Sequence, residues 1–232
     1  MKVELLKWDS DFFGVKTGKL VLKKGGTLNT GILKEWDLIY IFVEPDDKNN
    51  NQLLKDMQVS LVDEKVTYLM DISNSKVSSE LQGIFSYTQS ENDDQVIRIG
   101  VQSGIYSRFY VDPKIGKEKF QDLYTTLMKK SINRELAKEV IIYKTDNEKI
   151  AAVATIGEEN NRADIGVIAV DEKFHGQNIG KSLIQGVINY SSLNGYSLLQ
   201  VVTQKMNLGA CKFYEHCGFK PENVINIYHF WN

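Results

Sequence analysis

The fold of this chain is decided at residues 165–182, which read Ile-Gly-Val-Ile-Ala-Val-Asp-Glu-Lys-Phe-His-Gly-Gln-Asn-Ile-Gly-Lys-Ser. Residues 165–170 are an apolar and mostly β-branched run, a pattern that predicts a buried strand. From Lys181 onward apolar residues recur at helical spacing, which predicts a helix. A turn of small residues therefore joins a strand to a helix.

This turn has the pattern of an anion site. The first amide N–H groups of a helix have no partners within the helix, and together with the helix dipole they favour a phosphate. Gly176 and Gly180 allow a ligand to approach the main chain, and Asn178 tolerates positive φ better than most residues. A nucleotide-binding P-loop is rejected because three residues, not four, separate Gly176 from Gly180. An ordinary strand-to-helix turn is the alternative.

The chain after this turn adds a second strand and a second helix. Residues 196–204 predict a strand, and Asn207, Ala210 and Tyr214 then recur at helical spacing. Gly218 is a typical helix stop. The succession of strand, glycine-rich turn, helix, strand and Asn-x-x-Ala-x-x-x-Tyr helix resembles the GNAT superfamily of acyltransferases.

The resemblance touches both halves of the chain. The loop of the superfamily is Gln/Arg-x-x-Gly-x-Gly/Ala, and His175 and Asn178 stand at its first position and its first glycine. Residues 8–14, Trp-Asp-Ser-Asp-Phe-Phe-Gly, and residues 107–109, Ser-Arg-Phe, are similar to segments of the dTDP-fucosamine acetyltransferase family. Taken alone, residues 8–14 predict only a turn with two core aromatic side chains.

The resemblance implies a mixed α/β protein with a GNAT acyltransferase fold. We expect a central, mostly antiparallel sheet with helices on both sides, splayed beside residues 165–170 to admit the cofactor. A smaller, truncated GNAT-like α/β domain over residues 1–95 is expected to precede the catalytic GNAT domain over residues 96–232, with a linker at the polar residues 90–95. Residues 224–231 are expected to form a strand that completes the sheet or packs against a partner subunit.

Composition limits the classes of partner. The chain has 232 residues, 42% of them hydrophobic and 25% charged, as in a globular protein with one large or two small domains. A net charge of −2 predicts no long-range attraction to nucleic acid or to an anionic membrane, and no run is apolar enough to span a bilayer. Cys211 and Cys217 have no ligand cluster nearby, so we expect no disulfide, no metal site and a cytoplasmic location.

By resemblance, the co-substrate is acetyl-CoA or another acyl-CoA, bound without a metal. The strand before the turn would present backbone groups to the pantetheine arm, and the N–H of Ile168 or Val170 would polarise the thioester carbonyl. The amides of residues 177–181 would take the pyrophosphate. The expected cofactor-binding residues are Ile168, Ala169, Val170, His175, Gly176, Gln177, Asn178, Ile179, Gly180, Lys181, Asn207 and Ala210.

Two residues are candidates for proton transfer. Tyr214 stands where the superfamily often has the acid that protonates the leaving thiolate, and its alternative role is that of a core tyrosine. Residues 59–62 and 66–72 predict two strands. The resemblance puts the general base just after the first of them, at Asp63, which would act through a water. A solvated pair of Asp63 with Glu64 is the alternative. Other candidate bases are the three histidines, His175, His216 and His229.

The resemblance also implies a nucleotide-linked amino sugar as the acceptor and a homodimer as the assembly. The guanidinium of Arg108 is expected to grip a diphosphate bidentately, beside aromatic rings that stack on a base or a sugar. An ordinary surface arginine beside core aromatics is the alternative. The expected substrate-binding residues are Arg108, Phe109, Tyr106 and Gln204.

The residues and the resemblance leave three functions open. The leading one is transfer of an acetyl or short acyl group from acyl-CoA to the amine of a dTDP-linked amino-dideoxyhexose, in cell-surface polysaccharide synthesis. Direct attack in a ternary complex needs only that both reactants are held together. The second function is a GNAT enzyme for another amine, such as an amino acid, a polyamine or a protein terminus. The third is a catalytically silent CoA-binding module.

Overall fold

The structure is a computed structural model that describes residues 2–26, 28–78, 81–90 and 92–232. Its strands are β1 Glu4–Leu5, β2 Thr17–Leu22, β3 Leu38–Val43, β4 Ser60–Asp71, β5 Ile84–Ser86, β6 Glu139–Lys144, β7 Ile150–Glu159, β8 Arg162–Val170, β9 Leu198–Gln204 and β10 Lys220–Trp231. Its α-helices are α1 Lys7–Phe13, α2 Lys48–Asp56, α3 Asp93–Gln102, α4 Arg108–Val111, α5 Lys117–Ile132, α6 Ile179–Leu193 and α7 Leu208–His216. Short 3-10 turns occupy Thr30–Glu35, Ser103–Tyr106 and Glu172–Phe174.

Within these ranges the strands form one sheet in the order β1-β2-β3-β10-β4-β9-β8-β7-β6-β5. The pairs β2–β3 and β8–β9 are parallel, and every other neighbouring pair is antiparallel. The predicted mixed α/β class with a mostly antiparallel central sheet is therefore confirmed.

Helices cover both faces of the sheet. On one face α6 buries Leu183, Ile184 and Val187, which recur at the helical spacing seen in the sequence. On the other face α3 and α5 bury Val96 and Met128 against β6 and β7. A third cluster packs β2, β3 and α2 together. Full burial of one such side chain stabilises the fold by about 1.5–3 kcal/mol.

The two predicted domains share this sheet. Strand β10, from the end of the chain, lies between β3 and β4 and pairs with both. The predicted boundary at residue 95 falls inside α3, and Glu91 of the predicted linker lies outside the described residues. The division into residues 1–95 and 96–232 therefore stays a prediction.

The prediction of two strands over residues 59–62 and 66–72 was wrong, because β4 is one continuous strand. The charged residues 63–65 do not interrupt it, since the ladder to β10 runs through them and Asp63 is buried at 6% exposure. Asp63 therefore lies within a strand and not in a turn after one.

Residues 8–14 also differ from the turn that their local pattern predicts. Most of them form α1, on which Trp8 and Phe12, one helical turn apart, stack with ring centroids 5.1 Å apart. Gly14 ends this helix in the left-handed conformation, with a φ of 72°. Gly195 after α6, with a φ of 82°, and Gly218 after α7, with a φ of 98°, also follow helix ends in this conformation.

The parallel strands at the middle of the sheet separate toward their carboxyl ends. β8 and β9 pair only over residues 163–165 and 199–201, yet β8 continues to Val170 and β9 to Gln204. This gap is the splay that was expected beside residues 165–170. Backbone groups along its edges lack a neighbouring strand and so need another hydrogen-bonding partner.

Candidate active site

A cleft of about 780 Å³ opens where β8 ends and α6 begins. Its walls come from the end of β8, the turn before α6, and α7; we term it the large cleft. The expected cofactor-binding residues line it except Gln177 and Asn207. Further lining residues, which were not among the expected cofactor-binding residues, are Phe174, Gly209, Phe213, His216 and Cys217.

The turn at the base of this cleft has a row of free amides. The backbone N–H groups of residues 176–180 donate no hydrogen bond to the described residues, and Lys181 is the first to do so, to Asn178 O at 3.0 Å. Gly176 and Asn178 have φ values of 77° and 59°, the left-handed conformation that these residue types tolerate. Consecutive amides at the start of a helix suit the two phosphates of a pyrophosphate.

The edge of β8 that faces the gap is also available. Val167 N donates to Thr155 Oγ1 at 2.9 Å and Asp171 N to the backbone of β7 at 2.8 Å. Because successive backbone groups of a strand point to opposite sides, the N–H groups of Ile168 and Val170 point toward the gap. His175 Nε2 lies 2.9 Å from Val170 O and so ties the turn to the strand. The backbone of Ile168 is left for a ligand in the gap.

A second cavity, of about 310 Å³, occupies the gap itself. It is lined by the ends of β8 and β9, the 3-10 turn Ser103–Tyr106 and Tyr124 of α5; we term it the inner cavity. It shares Ile168, Ala210 and Tyr214 with the large cleft. The two cavities therefore meet beside Tyr214. Besides these three, the expected site residues that line the inner cavity are Tyr106, Gln204 and Asn207.

Tyr214 lies on α7 at this junction and is 5% exposed. Burial raises the pKa of its phenol above the ordinary value, and the nearby thiols of Cys211 and Cys217 raise it further. A phenol with a raised pKa keeps its proton at neutral pH and is placed to donate it to a thiolate. Asn207, two turns earlier, caps α7 by accepting from Ala210 N at 3.1 Å.

Asp63 lies on β4, the strand next to β9. Burial raises the pKa of its carboxyl to about 7, although the charges of Arg108 and Lys65 and a hydrogen bond from Gln204 lower it. Its Oδ1 is buried without a hydrogen-bond partner in the described part of the chain. Asp63 lines neither cavity, but Gln204 connects it to the inner one. A carboxylate that titrates near neutral pH is suited to accept a proton in a reaction.

Arg108 begins the four-residue helix α4, and aromatic rings hold its guanidinium. The Cζ atom lies 4.7 Å from the centroid of the Tyr40 ring and 4.5 Å from that of Phe109. Its Nε is buried without a hydrogen-bond partner among the described residues. The guanidinium is therefore a preorganised cation beside Asp63, although Arg108 and Phe109 line neither cavity.

Two residues of this neighbourhood were missed by sequence reasoning. Tyr40 comes from β3, and burial and the charge of Asp9 raise the pKa of its phenol. Tyr124 comes from α5, and burial raises the pKa of its phenol as well. No local pattern marks either residue, because each reaches the site only through the order of the strands and the packing of α5.

Two further properties concern membranes and metal ions. In the ranges that the structure describes, no helix is long and apolar enough to cross a bilayer. The same ranges contain no group of three or more His, Cys, Asp or Glu side chains placed to hold a metal ion.

The free amides before α6 and the splayed strand pair beside them suit a long ligand with a pyrophosphate, such as the acyl-CoA that acyltransferases use. Comparison with protein families gives the same answer, since the model of the acetyltransferase (GNAT) family matches residues 103–219, half of the chain. The protein belongs to the GNAT acetyltransferase family. The resemblance found in the sequence is thereby confirmed.

Relatives among known proteins are distant. The chain is 21% identical to dTDP-fucosamine acetyltransferase of Escherichia coli O6:H1 over 96% of its own length and 95% of that protein. It is 22% identical to the spore coat polysaccharide biosynthesis protein SpsD of Bacillus subtilis over 54% of the chain and 43% of that protein. It is 32% identical to N-acetylaspartate synthetase of Xenopus tropicalis over 34% of the chain, but this match spans only 30% of the synthetase.

Solved structures with a similar fold include other members of this family. A functionally unknown conserved protein from Staphylococcus epidermidis matches with a TM-score of 0.63 at 12% identity, over 93% of the chain and 84% of that protein. A tandem GNAT protein from the clavulanic acid biosynthesis pathway matches with a TM-score of 0.57 at 13% identity, over 93% and 75%. Identities this low show the shared fold alone.

Proposed function

We propose that this protein transfers an acetyl group from acetyl-CoA to the amine of a dTDP-linked amino-dideoxyhexose. The observation that carries the proposal is the full-length similarity to dTDP-fucosamine acetyltransferase, which extends through the N-terminal strands as well as the GNAT region. The similarity to SpsD, a polysaccharide biosynthesis protein, supports the same substrate class. A cytoplasmic enzyme, a homodimer and a role in cell-surface polysaccharide synthesis belong to this proposal.

In the proposed reaction the donor lies along β8. The pyrophosphate is held by the amides of residues 176–180, and the pantetheine arm runs through the large cleft toward Ile168. The N–H of Ile168 polarises the thioester carbonyl and stabilises the oxygen as negative charge develops on it. The acetyl group then lies at the junction of the two cavities, beside Tyr214.

The acceptor amine enters from the inner cavity as an ammonium ion. Asp63 removes one proton through a water, and its raised pKa of about 7 makes it a stronger base than an ordinary carboxylate. The free amine attacks the carbonyl carbon, the new C–N bond forms, and the C–S bond breaks. Tyr214 gives its proton to the leaving thiolate. The nitrogen loses its second proton to solvent. Asp63 then releases its proton and the Tyr214 phenolate takes one up from solvent, so that the enzyme is restored and the amide and free coenzyme A are the products.

Arg108 binds the diphosphate of the acceptor in this scheme. Its guanidinium is held by Tyr40 and Phe109 and has a buried Nε without a partner in the described residues, so an anionic oxygen would satisfy it. The same cation also suits the carboxylate of an amino acid. The partial similarity to N-acetylaspartate synthetase favours aspartate as the second candidate acceptor.

The test is a thiol-release assay with acetyl-CoA and four acceptors: dTDP-4-amino-dideoxyhexose, dTDP-3-amino-dideoxyhexose, aspartate and spermidine. We expect turnover with one of the two sugar nucleotides, which also identifies the ring position of the amine. Saturation-transfer NMR with dTDP is the matched binding measurement, and we expect transfer to the nucleotide. Turnover with aspartate or spermidine alone would show that the acceptor is another amine and not a sugar nucleotide. Acetyl-CoA binding without turnover of any acceptor would point to a silent CoA-binding module.

A further inference from the structure

A buried carboxylate anchors the helix that carries Arg108. Asp112 follows α4 directly and is 4% exposed. Its Oδ2 lies 2.6 Å from His229 Nδ1 and accepts from Trp231 Nε1 at 2.9 Å, and its Oδ1 accepts from Lys114 N at 2.9 Å. Both side-chain partners lie on β10. Asp112 therefore joins the end of α4 to the last strand of the sheet.

The protonation of this group follows from its surroundings. Burial by itself would raise the pKa of Asp112, but the hydrogen bonds from His229, Trp231 and Lys114 outweigh it and hold the pKa below its usual value. Burial and the charge of Arg108 lower the pKa of His229, against the opposing effect of Asp112. Asp112 is therefore ionised, and a neutral His229 donates its Nδ1–H to it.

Stability alone does not explain a buried carboxylate at this place. Taking a charge out of water is costly, and well-packed apolar residues often stabilise a core as well as a buried polar group does. Helix α4 has four residues, too few to hold its own conformation without tertiary contacts. The backbone N–H of Asp112 donates to Arg108 O at 3.2 Å, so Asp112 is tied to the first residue of the helix as well as to β10.

The guanidinium of Arg108 depends on this anchor. It stacks against Tyr40, and the ring of Tyr40 in turn lies 4.7 Å from the ring of His229. The rings of Phe109 and His229 are 6.4 Å apart. His229 thus supports both aromatic rings that hold the cation, while its Nδ1 fixes the end of the helix.

We propose that Asp112, together with His229 and Trp231, is a positioning clamp that holds Arg108 in its acceptor-binding position. This inference rests on the proposed role of Arg108 in acceptor binding. The clamp touches neither reactant and acts through α4 and through the ring of Tyr40. Its loss displaces the guanidinium, which weakens acceptor binding and leaves the acyl-CoA site in the large cleft unaltered.

The test compares Arg108→Ala, Asp112→Asn, Trp231→Phe and the double variant Arg108→Ala/Asp112→Asn, with the acceptor that the assay above identifies, of whatever class. A charge-assisted hydrogen bond corresponds to about a 10- to 150-fold effect, so we expect Arg108→Ala to raise the acceptor KM by that amount. Asp112→Asn is expected to raise it by about tenfold, and Trp231→Phe, which loses one neutral donor, by about threefold. The KM for acetyl-CoA is expected to change less than twofold.

The double variant separates a positioning role from a structural one. If the clamp acts through Arg108, Asp112→Asn adds nothing to the acceptor KM once Arg108 is alanine. Equal effects of Asp112→Asn in both backgrounds, or an equal rise in the KM for acetyl-CoA, would overturn the clamp.

If Arg108→Ala leaves the acceptor KM unchanged, Arg108 does not bind the acceptor, and the proposed clamp is overturned as well. The acceptor could prove to be of another class while Asp112→Asn still adds nothing in the Arg108→Ala background. That result would overturn only the sugar-nucleotide proposal. Trp36→Phe is the matched control for loss of an indole, because Trp36 packs against the cluster of β2, β3 and α2.

Discussion

At the scale of single residues, the proposed role of Tyr214 as a proton donor depends on its phenolic hydroxyl group. It lies where the large cleft and the inner cavity meet, and burial keeps its phenol protonated. We expect Tyr214→Phe to lower turnover by about 10- to 100-fold, because a positioned general acid contributes on this order. The affinity for acetyl-CoA is expected to remain nearly unchanged, since the aromatic ring stays in the wall of the cleft. Thiol release and calorimetric titration with acetyl-CoA measure the two quantities.

The neighbouring Tyr68 provides the matched control for this substitution. Its ring lies 5.8 Å from that of Tyr214, but its hydroxyl donates to Glu215 at 2.9 Å and lines neither cavity. Tyr68→Phe removes a phenol from the same cluster and is expected to leave turnover within twofold. Full activity of Tyr214→Phe would remove the phenol from the mechanism and favour solvent as the proton donor.

At the scale of elements, the turn between β8 and α6 depends on the absence of a side chain at Gly180. A Cβ at this position would lie 3.1 Å from two ring atoms of Phe213 on α7. We expect Gly180→Val to push the start of α6 and Phe213 apart, which displaces the amides that we propose to bind pyrophosphate. The expected result is a KM for acetyl-CoA raised by about tenfold or more, from loss of charge-assisted hydrogen bonds. The acceptor KM is expected to change little.

Gly157 on β7 is the control for introducing a valine in place of glycine. A Cβ there would lie 3.5 Å from Leu136 O, an ordinary contact, and the position is outside both cavities. Gly157→Val is expected to leave both KM values unchanged. If Gly180→Val binds acetyl-CoA as well as the parent protein does, the amides of the turn do not hold the pyrophosphate.

Elements with a local signal were accessible from the sequence. The turn carries its own glycines and an asparagine, and α6 and α7 show their apolar faces at helical spacing, so the strand, turn and helix of the GNAT fold were predicted at their places. The strand prediction failed where polar residues lie inside the sheet, because their local pattern is that of an exposed turn. Residues 63–65 have the charges of a turn, yet β4 passes through them because β9 and β10 pair with it on both sides.

At the scale of the whole molecule, the surroundings of Arg108 come from distant parts of the chain. Asp112 and His229, which are 117 residues apart in sequence, meet because β10 is inserted beside β3. A single sequence with local patterns contains no sign of such a pairing, since strand order is set by packing of the whole sheet. The residues proposed to face the ligand could therefore be named in part, but their supporting partners could not.

The ionisation of Asp63 couples the proposed chemistry to the stability of the whole molecule. The carboxyl has a pKa of about 7 in the native state, raised mainly by burial from the ordinary value of 3.8. Between these two values the native state binds a proton that the unfolded chain does not. The free energy of unfolding therefore falls as pH rises through this window, by up to about 4 kcal/mol. A site that needs an ionised base at neutral pH is thus built at a cost in stability.

Replacing this base should separate stability from activity. We expect Asp63→Asn to be more stable than the parent by about 2–4 kcal/mol at pH 8. The gain is expected to fall to about 1–2 kcal/mol at pH 5 and to vanish only below about pH 4, where the carboxyl is protonated in the unfolded chain as well. Turnover is expected to fall by about 100-fold or more, and the rise of kcat/KM through pH 7 to disappear. Urea unfolding at four pH values and thiol-release kinetics over the same range measure both effects.

The control for this trade-off is Asp164→Asn. Asp164 is also a carboxyl whose pKa is raised by burial, but it accepts from Gln200 Nε2 at 2.9 Å and lines neither cavity. We expect this variant to keep the ascending limb of the pH profile, because the group that must ionise for the reaction is still present. A stability gain in Asp63→Asn that does not shrink at pH 5 would mean that burial does not raise the native pKa. Retained turnover in the same variant would assign the base to another group.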